Sequence, residues 1–553
     1  MMKTLFLNPP SYEGFDGGAG SRYQAKREVR SFWYPTWLAQ VAALIPESKL
    51  IDAPARGLSL DDILPQAKDF ELAVLYVSAP TFVSDVQVAE ALKKANPKLM
   101  IGLVGAHVAT LPEPSLAAST MVDFVARHEF DFTIKEIAEG RPFAEVDGIT
   151  WRRDGQIVHN RDRDLIHDMD SLPMVAPVYH RDLVVEDYFI GYLKYPYMSM
   201  YSGRGCRSKC SFCLWPQTIG GNVYRTKSAA KVIEELALMQ KTFPQVQEFF
   251  FDDDTFTDDH PRAEEIARGL GKLGITWSCN AKPNVPYETL KVLKENGLRL
   301  LLVGYESGVQ DILNNIKKGT RLDKIRQFNA DCHKLGIAIH GTFIVGLPGE
   351  TRDTIQQTIA FAKEINPHTI QVSLAAPYPG TALYQQATEN GWLKAGNLIQ
   401  DNGLQIAALS YPHLSSEEIF ESLAVFYKAF YFRPKKIAEI TFEMLKSWDM
   451  TKRRLREGVE FFHFLRTRHD GCEAAEGNFL DTDCNGCQRI GTDEKCTAGA
   501  LKSYPCLSVG IRFNPCLLTP AFAFREMPGQ QRRDADQQFA AALEQRYRQR
   551  HLG

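Results

Sequence analysis

The stretch Gly203-Arg-Gly-Cys-Arg-Ser-Lys-Cys-Ser-Phe-Cys213 places three cysteines on one short loop, with the spacing C-x3-C-x2-C. A glycine directly precedes the first cysteine, and an aromatic residue, Phe212, precedes the last. Thiolates on such a loop can each bind one iron of a [4Fe–4S] cube, which leaves the fourth iron open to a small molecule. Cys206, Cys210 and Cys213 are therefore the candidate metal ligands.

Two other uses of these cysteines are less consistent with the sequence. A zinc site prefers four ligands in two paired knuckles, and no second pair or nearby histidine accompanies this loop. Disulfides are disfavoured because the cysteine count, 11, is odd and no secretory signal is evident. We therefore interpret the loop as an iron–sulfur site.

The same loop resembles the signature of the radical S-adenosylmethionine (SAM) superfamily. The resemblance implies that SAM binds the open iron and that a low-potential electron donor reduces the cluster. Cleavage of SAM would then produce a 5′-deoxyadenosyl radical, which abstracts hydrogen from an unactivated C–H bond. The protein's part in such chemistry is to orient the reactants and to exclude water.

Length, composition and charge set broader limits. A chain of 553 residues with 44% apolar and 24% charged residues is long enough for two to four ordinary globular domains. The net charge of −3 gives no reason to expect a nucleic-acid partner. The apolar run at the N-terminus is short and stops at Pro9-Pro10, and no stretch approaches the roughly 18 apolar residues of a membrane span. These features predict a cytoplasmic protein.

An α/β domain is predicted over residues 1–145. Its expected strands alternate with a helical pattern at Val83–Ala95, and they cover residues 3–7, 72–77, 99–104 and 123–125. Such alternation predicts a parallel sheet whose ligands bind at the carboxyl ends of the strands. Small residues at two of these ends leave room for a bulky ligand: Ser78, Ala79, Gly105 and Ala106.

This domain, placed before a radical SAM core, resembles the cobalamin-binding domain of B12-dependent radical SAM enzymes. The resemblance implies that cobalamin contacts Ser78, Gly105 and Ala106. The D-x-H-x-x-G loop of other B12 enzymes is absent from residues 1–150. We therefore interpret His107 as a loop residue, and a doubly wound domain without its cofactor is the alternative.

Residues 146–195 are predicted to form a hairpin and a linker, and residues 196–410 six strand–helix units. The polar and glycine-rich clusters of this second region all follow predicted strands, where the active sites of (β/α) barrels lie. Six strands suit the partial (β/α)6 barrel of the radical SAM family. The expected fold is therefore α/β, with a Rossmann-like domain, a partial TIM-like barrel and a helical region at residues 411–468.

The resemblance also implies cofactor contacts in the barrel. Phe212 would lie where the loop backbone contacts the adenine, and the fifth-strand motif Gly346-Leu-Pro-Gly-Glu350 would approach the adenosyl group through Gly346 and Gly349. Asp252, Asp253 and Asp254 follow the second strand, where the family binds the methionyl amino group, although the usual residues there are Gly-Gly-Glu. Glu306 and Ser307 would contact the ribose hydroxyls.

The C-terminal region contains two features that each allow more than one interpretation. The aromatic stripe within residues 426–434 is typical of a helix packed on the core, and the alternative is a surface, with a basic edge at residues 452–456, that meets a lipid or a membrane. Residues 469–553 form a tail with six cysteines, at positions 472, 484, 487, 496, 506 and 516. An auxiliary iron–sulfur cluster, a zinc site and an unstructured appendage are the alternatives for this tail.

Three longer segments narrow the resemblance to the hopanoid-biosynthesis radical SAM family HpnJ: residues 6–23, 31–37 and 197–206. It implies ring contraction of bacteriohopanetetrol glucosamine to a cyclitol ether. A lipid headgroup would then be the substrate, and peripheral contact with the inner membrane is expected. Cobalamin-dependent methyl transfer to an unactivated carbon and a non-enzymatic iron–sulfur or zinc scaffold are the alternatives.

Overall fold

Residues 1–10, 31–394, 398–399, 405–445, 451, 455 and 458–459 are described by the structure, a computed structural model of the chain. They all lie in the first of two structural units, Met1–Leu480. The cysteine-rich tail at 469–553 and much of the helical region predicted at 411–468 lie outside the described residues.

The N-terminal domain is built on a seven-stranded sheet with the order β2-β1-β3-β4-β5-β6-β7. Its first five strands are parallel, which confirms the predicted α/β fold. Their bounds are β1 Thr4–Asn8, β2 Ser48–Asp52, β3 Leu72–Tyr76, β4 Met100–Val104 and β5 Phe124–Ala126. Strand β2 was not predicted from the sequence, because this short edge strand begins with two polar residues and buries only its last three.

The predicted hairpin extends this sheet. Strands β6 (Ile149–Arg153) and β7 (Gln156–His159) pair antiparallel with each other, and β6 pairs antiparallel with β5. Among the described residues of the domain, seven helices connect or flank the parallel strands: α1 Thr36–Ala42, α2 Ala53–Arg56, α3 Leu60–Ala67, α4 Phe82–Ala95, α5 Ala106–Thr110, α6 Pro112–Ala117 and α7 Asp131–Ala138. Helix α8 (Ala176–Asp182) then leads to the second sheet.

The second sheet is the predicted half-barrel. Six parallel strands have the order β15-β14-β13-β12-β11-β8. Each barrel strand therefore pairs with the barrel strand that precedes it in the chain. Their bounds are β8 Tyr197–Met200, β11 Glu248–Phe251, β12 Trp277–Ala281, β13 Leu298–Glu306, β14 Ala338–Val345 and β15 Thr369–Leu374. A small antiparallel ribbon, β9 (Gly203–Arg204) with β10 (Arg225–Thr226), flanks the cysteine loop.

Helices follow the barrel strands and cover their outer face. They are α9 Ala229–Thr242, α10 His260–Lys272, α11 Tyr287–Glu295, α12 Gln310–Asn315, α13 Leu322–Leu335, α14 Arg352–Ile365 and α15 Ala382–Glu389. Several begin at residues whose hydroxyl groups accept a hydrogen bond from the backbone of the first turn, as at Ser228 and Thr351. Such caps satisfy donors that the helix itself leaves unpaired.

The last strand of the half-barrel is protected by the helix after it. Helices α16 (Ser416–Tyr431) and α17 (Pro434–Leu445) follow this strand. The Tyr431 hydroxyl accepts from the backbone N–H of Ile370 at 2.9 Å. The Tyr427 hydroxyl does the same for Val372. These tyrosines satisfy the free edge of β15, which would otherwise offer its backbone to another strand. The aromatic stripe therefore packs on the core, as the sequence predicted.

None of the helices within the described ranges is long and apolar enough to cross a membrane.

Candidate functional site

The cysteine loop begins at a backbone position that requires glycine. Gly205 has φ +87°, and a Cβ atom there would lie 2.3 Å from the carbonyl oxygen of Val223. Its N–H donates to Oδ2 of Asp254 at 3.2 Å, which joins the loop to the end of β11. The ribbon strand β9 thus delivers Cys206 to the carboxyl ends of the barrel strands.

The three predicted ligands share this loop. Cys206 and Cys210 are buried, Cys213 is half-buried, and none of them forms a disulfide. Burial raises the pKa of the Cys210 and Cys213 thiols, and bound iron would reverse this effect because a metal cation stabilises the thiolate. Within the described chain no three His, Cys, Asp or Glu side chains converge on one metal ion. A cube does not require such convergence, since each cysteine binds a separate iron.

Gln217, which was not predicted from the sequence, stabilises the loop. Its side-chain amide donates to the carbonyl oxygens of Cys210 at 3.2 Å and Cys213 at 2.7 Å. Its Oε1 accepts from the N–H of Ala382, the first residue of α15. The Gln217 side chain therefore supplies hydrogen-bond donors to carbonyl groups of the loop and connects the loop to α15, which follows the last strand of the barrel. Phe212, between these two cysteines in the sequence, is half-buried against the core, and its predicted contact with the adenine stays a prediction.

The three aspartates after β11 have different surroundings. Asp252 accepts from the Tyr201 hydroxyl at 3.1 Å and lies 3.4 Å from the amide nitrogen of Asn280. Asp253 is fully buried and accepts from Ser202 and Tyr224; burial raises its pKa. These contacts support the fold, and Asp254 positions the cysteine loop. Their predicted contacts with the methionyl group stay predictions.

Glu306 and Lys318 form a largely buried ion pair at the carboxyl end of β13, with Nζ and Oε1 2.6 Å apart. Glu306 has φ +64°, which is rare for a residue with a side chain, and the pairing of β13 with β14 shifts register there. Burial alone would lower the pKa of Lys318, but the charge of Glu306 raises it instead. A permanent cation therefore lies beside the cysteine loop. Lys318 was not predicted from the sequence, because there it is one of two adjacent lysines, Lys317 and Lys318, that look alike.

Ser307 is fully buried, and its hydroxyl pairs with Thr358 of α14 at 3.1 Å. The structure thus places Glu306 towards the cluster end of the barrel and Ser307 towards an outer helix. The predicted ribose contacts of both residues stay predictions.

The glycine motif after β14 forms a turn around Glu350. Gly346 and Gly349 both have positive φ angles, +84° and +87°. The backbone N–H groups of Gly346 and Leu347 donate to Oε2 of Glu350 at 2.6 and 2.9 Å. The other carboxyl oxygen of Glu350 is buried without a hydrogen-bond partner among the described residues. Burial raises the pKa of Glu350 to about 7.

This buried carboxyl predicts a pH dependence of stability. The folded protein keeps the Glu350 proton to a higher pH than the unfolded chain, so the bound proton stabilises the folded state. This contribution to the free energy of unfolding is fully present below about pH 4.5 and is lost as pH rises through about 7. We expect the free energy of unfolding of wild type to fall by about 1 kcal/mol more than that of Glu350→Gln between about pH 6 and about pH 8. Anaerobic denaturant titrations of both proteins would measure this difference. Equal pH slopes would contradict it.

The three residues predicted to contact cobalamin lie at the carboxyl edge of the first sheet. Ser78 is half-buried, and its hydroxyl pairs with Thr81 at 2.9 Å. A Cβ atom at Gly105 would lie 2.4 Å from the carbonyl oxygen of Val77, so the close approach of β3 explains this glycine. Ala106 is buried. Beside them, Nδ1 of His107 is buried without a partner among the described residues.

This edge lies against the segment that follows the cysteine loop. Nδ1 of His128, just after β5, is 2.9 Å from the carbonyl oxygen of Thr218. Thr110, at the end of α5, occupies the space beside Gly380 of the barrel, where a Cβ atom would lie 2.2 Å from its methyl group. The carboxyl edges of the two sheets, where cofactors are predicted to bind, are therefore neighbours.

Comparison with known proteins agrees with this geometry. Residues 200–362, which include the cysteine loop and most of the half-barrel, match the Radical SAM superfamily. An uncharacterized methyltransferase of Pyrococcus horikoshii is 30% identical over 460 residues, which cover 80% of this chain and 95% of that protein. The cytidylyl-2-hydroxyethylphosphonate methyltransferase of Streptomyces wedmorensis is 26% identical, over 77% of this chain and 90% of its own.

Among solved structures, the cobalamin-dependent SAM radical enzyme OxsB, with aqua-cobalamin and SAM bound, superposes with a TM-score of 0.61. The alignment covers 83% of this chain and 72% of OxsB at 15% identity, so it supports the fold alone. Together, the cysteine loop, the half-barrel and the relative with 30% identity establish that the chain belongs to the radical SAM superfamily and is an enzyme that uses a [4Fe–4S] cluster and SAM.

Proposed function

We propose that the chain is a cobalamin-dependent radical SAM methyltransferase that acts on an unactivated carbon. The observation that carries this proposal is the meeting of the two ligand-binding edges, through His128 and Thr218. A cofactor held at the first sheet would lie next to the cluster loop. The two relatives described above are named as methyltransferases, and OxsB is described with cobalamin bound.

The cluster end has the groups that this chemistry requires. When bound, the reduced cluster and SAM supply a 5′-deoxyadenosyl radical. Cys206, Cys210 and Cys213 would hold three irons, and Gln217 keeps their loop in one conformation. Lys318 offers a cation for the carboxylate of the methionyl group, and Glu306 and Asp252 offer carboxylates for its amino group and for the ribose. The Glu306–Lys318 pair keeps both charges in place before SAM arrives.

The first sheet fits cobalamin at its carboxyl edge. Ser78 and Ala79 are small and half-buried, and the unpartnered Nδ1 of His107 can form one hydrogen bond with a ligand. Burial lowers the pKa of His107 to about 4, so the ring is neutral near pH 7. Cobalamin, when bound, supplies a methyl carrier. Ser78 and His107 would hold its polar groups, and Gly105 keeps the strands close.

Ring contraction of a hopanoid headgroup is the second candidate, and the inner face of the half-barrel favours it. Tyr305 bonds Asn329 of α13 and Phe343 packs on Phe426 of α16, so these residues face the outer helices. Successive side chains of a strand point to opposite faces, so the residues next to these on β14 and on the paired strand β15 face inwards. Three of them are half-buried, polar and uncharged: Thr342, Gln371 and Ser373. Hydroxyl and amide groups can form hydrogen bonds with a polyhydroxylated ring. Such a ring is the part of the substrate that would contract in the reaction implied for the HpnJ family.

Exposed apolar side chains on α17 support contact of such an enzyme with a lipid or a membrane surface. Phe442 is 64% exposed and Leu445 80% exposed. They would meet the apolar part of a lipid substrate while its headgroup enters the barrel.

One experiment separates the two candidates. The reconstituted enzyme is incubated anaerobically with dithionite and SAM, with and without cobalamin and bacteriohopanetetrol glucosamine, and the nucleoside products are quantified. Methyl transfer predicts both 5′-deoxyadenosine and S-adenosylhomocysteine, in amounts that depend on cobalamin. Ring contraction predicts 5′-deoxyadenosine that depends on the hopanoid and no S-adenosylhomocysteine. Enzyme with an intact cluster that forms neither product would contradict both proposals.

A further inference from the structure

Side chains of the N-terminal domain hold both ends of the cysteine loop. Arg204 lies two residues before Cys206, and its guanidinium stacks on the ring of Trp37 at 4.2 Å. Trp215 lies two residues after Cys213, and its ring stacks on the same Trp37 at 6.2 Å between centroids. Trp37 belongs to α1 of the first domain. One residue of that domain thus contacts the loop on both sides.

A buried charge cluster strengthens this contact. Arg204 donates two hydrogen bonds to the carboxylate of Asp131, at 2.7 and 2.9 Å. Arg225, its cross-strand partner in the ribbon, donates two to Glu129, at 2.7 and 2.9 Å. Asp131 begins α7 and Glu129 follows β5, so both carboxylates come from the first domain. All four side chains are at most 3% exposed.

Such a buried charge cluster contributes little net free energy to the association of two domains. Removing four charges from water carries a large desolvation cost, and well-packed apolar residues often stabilise a core as well or better. Paired guanidinium and carboxylate groups instead impose one geometry, because each pair forms two parallel hydrogen bonds. The arrangement therefore favours a precise position of the loop over maximal stability.

We propose that the N-terminal domain positions the iron–sulfur cluster through the Arg204–Asp131 pair and the Trp37 stack, independently of any cofactor that the domain binds. Arg204 is a positioning residue in this scheme. The pair sets the position of the loop, and with it that of the cluster, relative to the neighbouring Lys318 and Glu306. Loosening the pair would displace the cluster while its three cysteines still bind iron.

The test is a charge-balanced double variant, Arg204→Leu with Asp131→Leu, in the full-length reconstituted enzyme. We expect normal iron and sulfide content, an altered electron paramagnetic resonance spectrum of the reduced cluster with SAM, and a rate of SAM cleavage lowered by about ten- to a hundredfold. The matched control is Arg299→Leu with Glu248→Leu. That pair also forms two hydrogen bonds of 2.8 Å, but it lies towards the amino ends of the strands.

A second variant covers the case in which the double variant does not fold. Arg204→Lys keeps the charge but cannot form two parallel hydrogen bonds with Asp131, and we expect a smaller change of the same spectrum. The proposal is overturned if a folded variant with full cluster content has the wild-type spectrum and cleavage rate. It is equally overturned if the control pair changes both as much, since the effect would then reflect general loss of stability.

Discussion

Replacement of Cys213 by alanine is expected to abolish 5′-deoxyadenosine formation. Each of the three loop cysteines would bind a separate iron, so each thiolate is needed for a complete cube. Loss of one ligand therefore removes the cluster or leaves it unable to present an open iron to SAM. Iron and sulfide analysis, absorbance of the reconstituted protein and nucleoside assays would measure the effect. We expect the same for Cys206→Ala and Cys210→Ala.

Cys279→Ala is the matched control for this series. Cys279 is fully buried in β12 and is not part of the loop, so its loss removes one small buried group and costs on the order of 1 kcal/mol of stability. The variant should keep full cluster content and SAM cleavage. An active Cys213→Ala enzyme would refute the assignment of the loop as the cluster site.

Replacement of Lys318 by methionine is expected to weaken SAM binding at least about tenfold, because a lost charged hydrogen bond costs roughly 1.5–3 kcal/mol. Lys318 is a largely buried cation beside the loop, and its Nζ lies 2.6 Å from Glu306. Without it, the methionyl carboxylate would face Glu306 with no compensating charge. Equilibrium binding of SAM to the reconstituted, oxidised enzyme measures the change without requiring turnover.

Two further variants separate binding from folding in this experiment. Lys317→Met removes the neighbouring lysine, which is exposed, and should bind SAM as wild type does. Lys318→Met with Glu306→Gln removes both charges, so it should regain thermal stability that the single variant loses, while SAM binding stays weak. Normal SAM affinity in the single variant would show that Lys318 has no part in the site.

The cluster loop and the half-barrel could be predicted from the sequence because their signals are local. Three cysteines within eight residues define a metal-binding loop wherever the rest of the chain lies. Each barrel strand is a short apolar run that ends in polar or glycine-rich residues, as at Gly346. All six strands were predicted, whereas the edge strand β2 was not, because its polar first residues hide the pattern.

Other parts of the site depend on residues far apart in the chain. Asp253 looked equivalent to Asp252 and Asp254 in the sequence, but only the fold shows that it is fully buried against Ser202 and Tyr224. Gln217 and Lys318 carry no motif, and their importance comes from the carbonyls and the carboxylate that the fold brings to them. The Arg204–Asp131 pair spans 73 residues, and nothing in either local sequence points to the other.

The sequence was sufficient to predict the cluster ligands and the fold around them: three thiolates on one loop, a parallel α/β sheet before it and a half-barrel after it. Thiolate spacing and apolar periodicity act over a few residues, so they can be read without knowing the fold. The tertiary structure alone decided which charges stand beside the loop, which aspartate supports the core and how the first domain holds the cluster. Those contacts exist because burial makes an unpaired charge or hydrogen-bonding group costly, and folding therefore brings together partners that the sequence keeps apart.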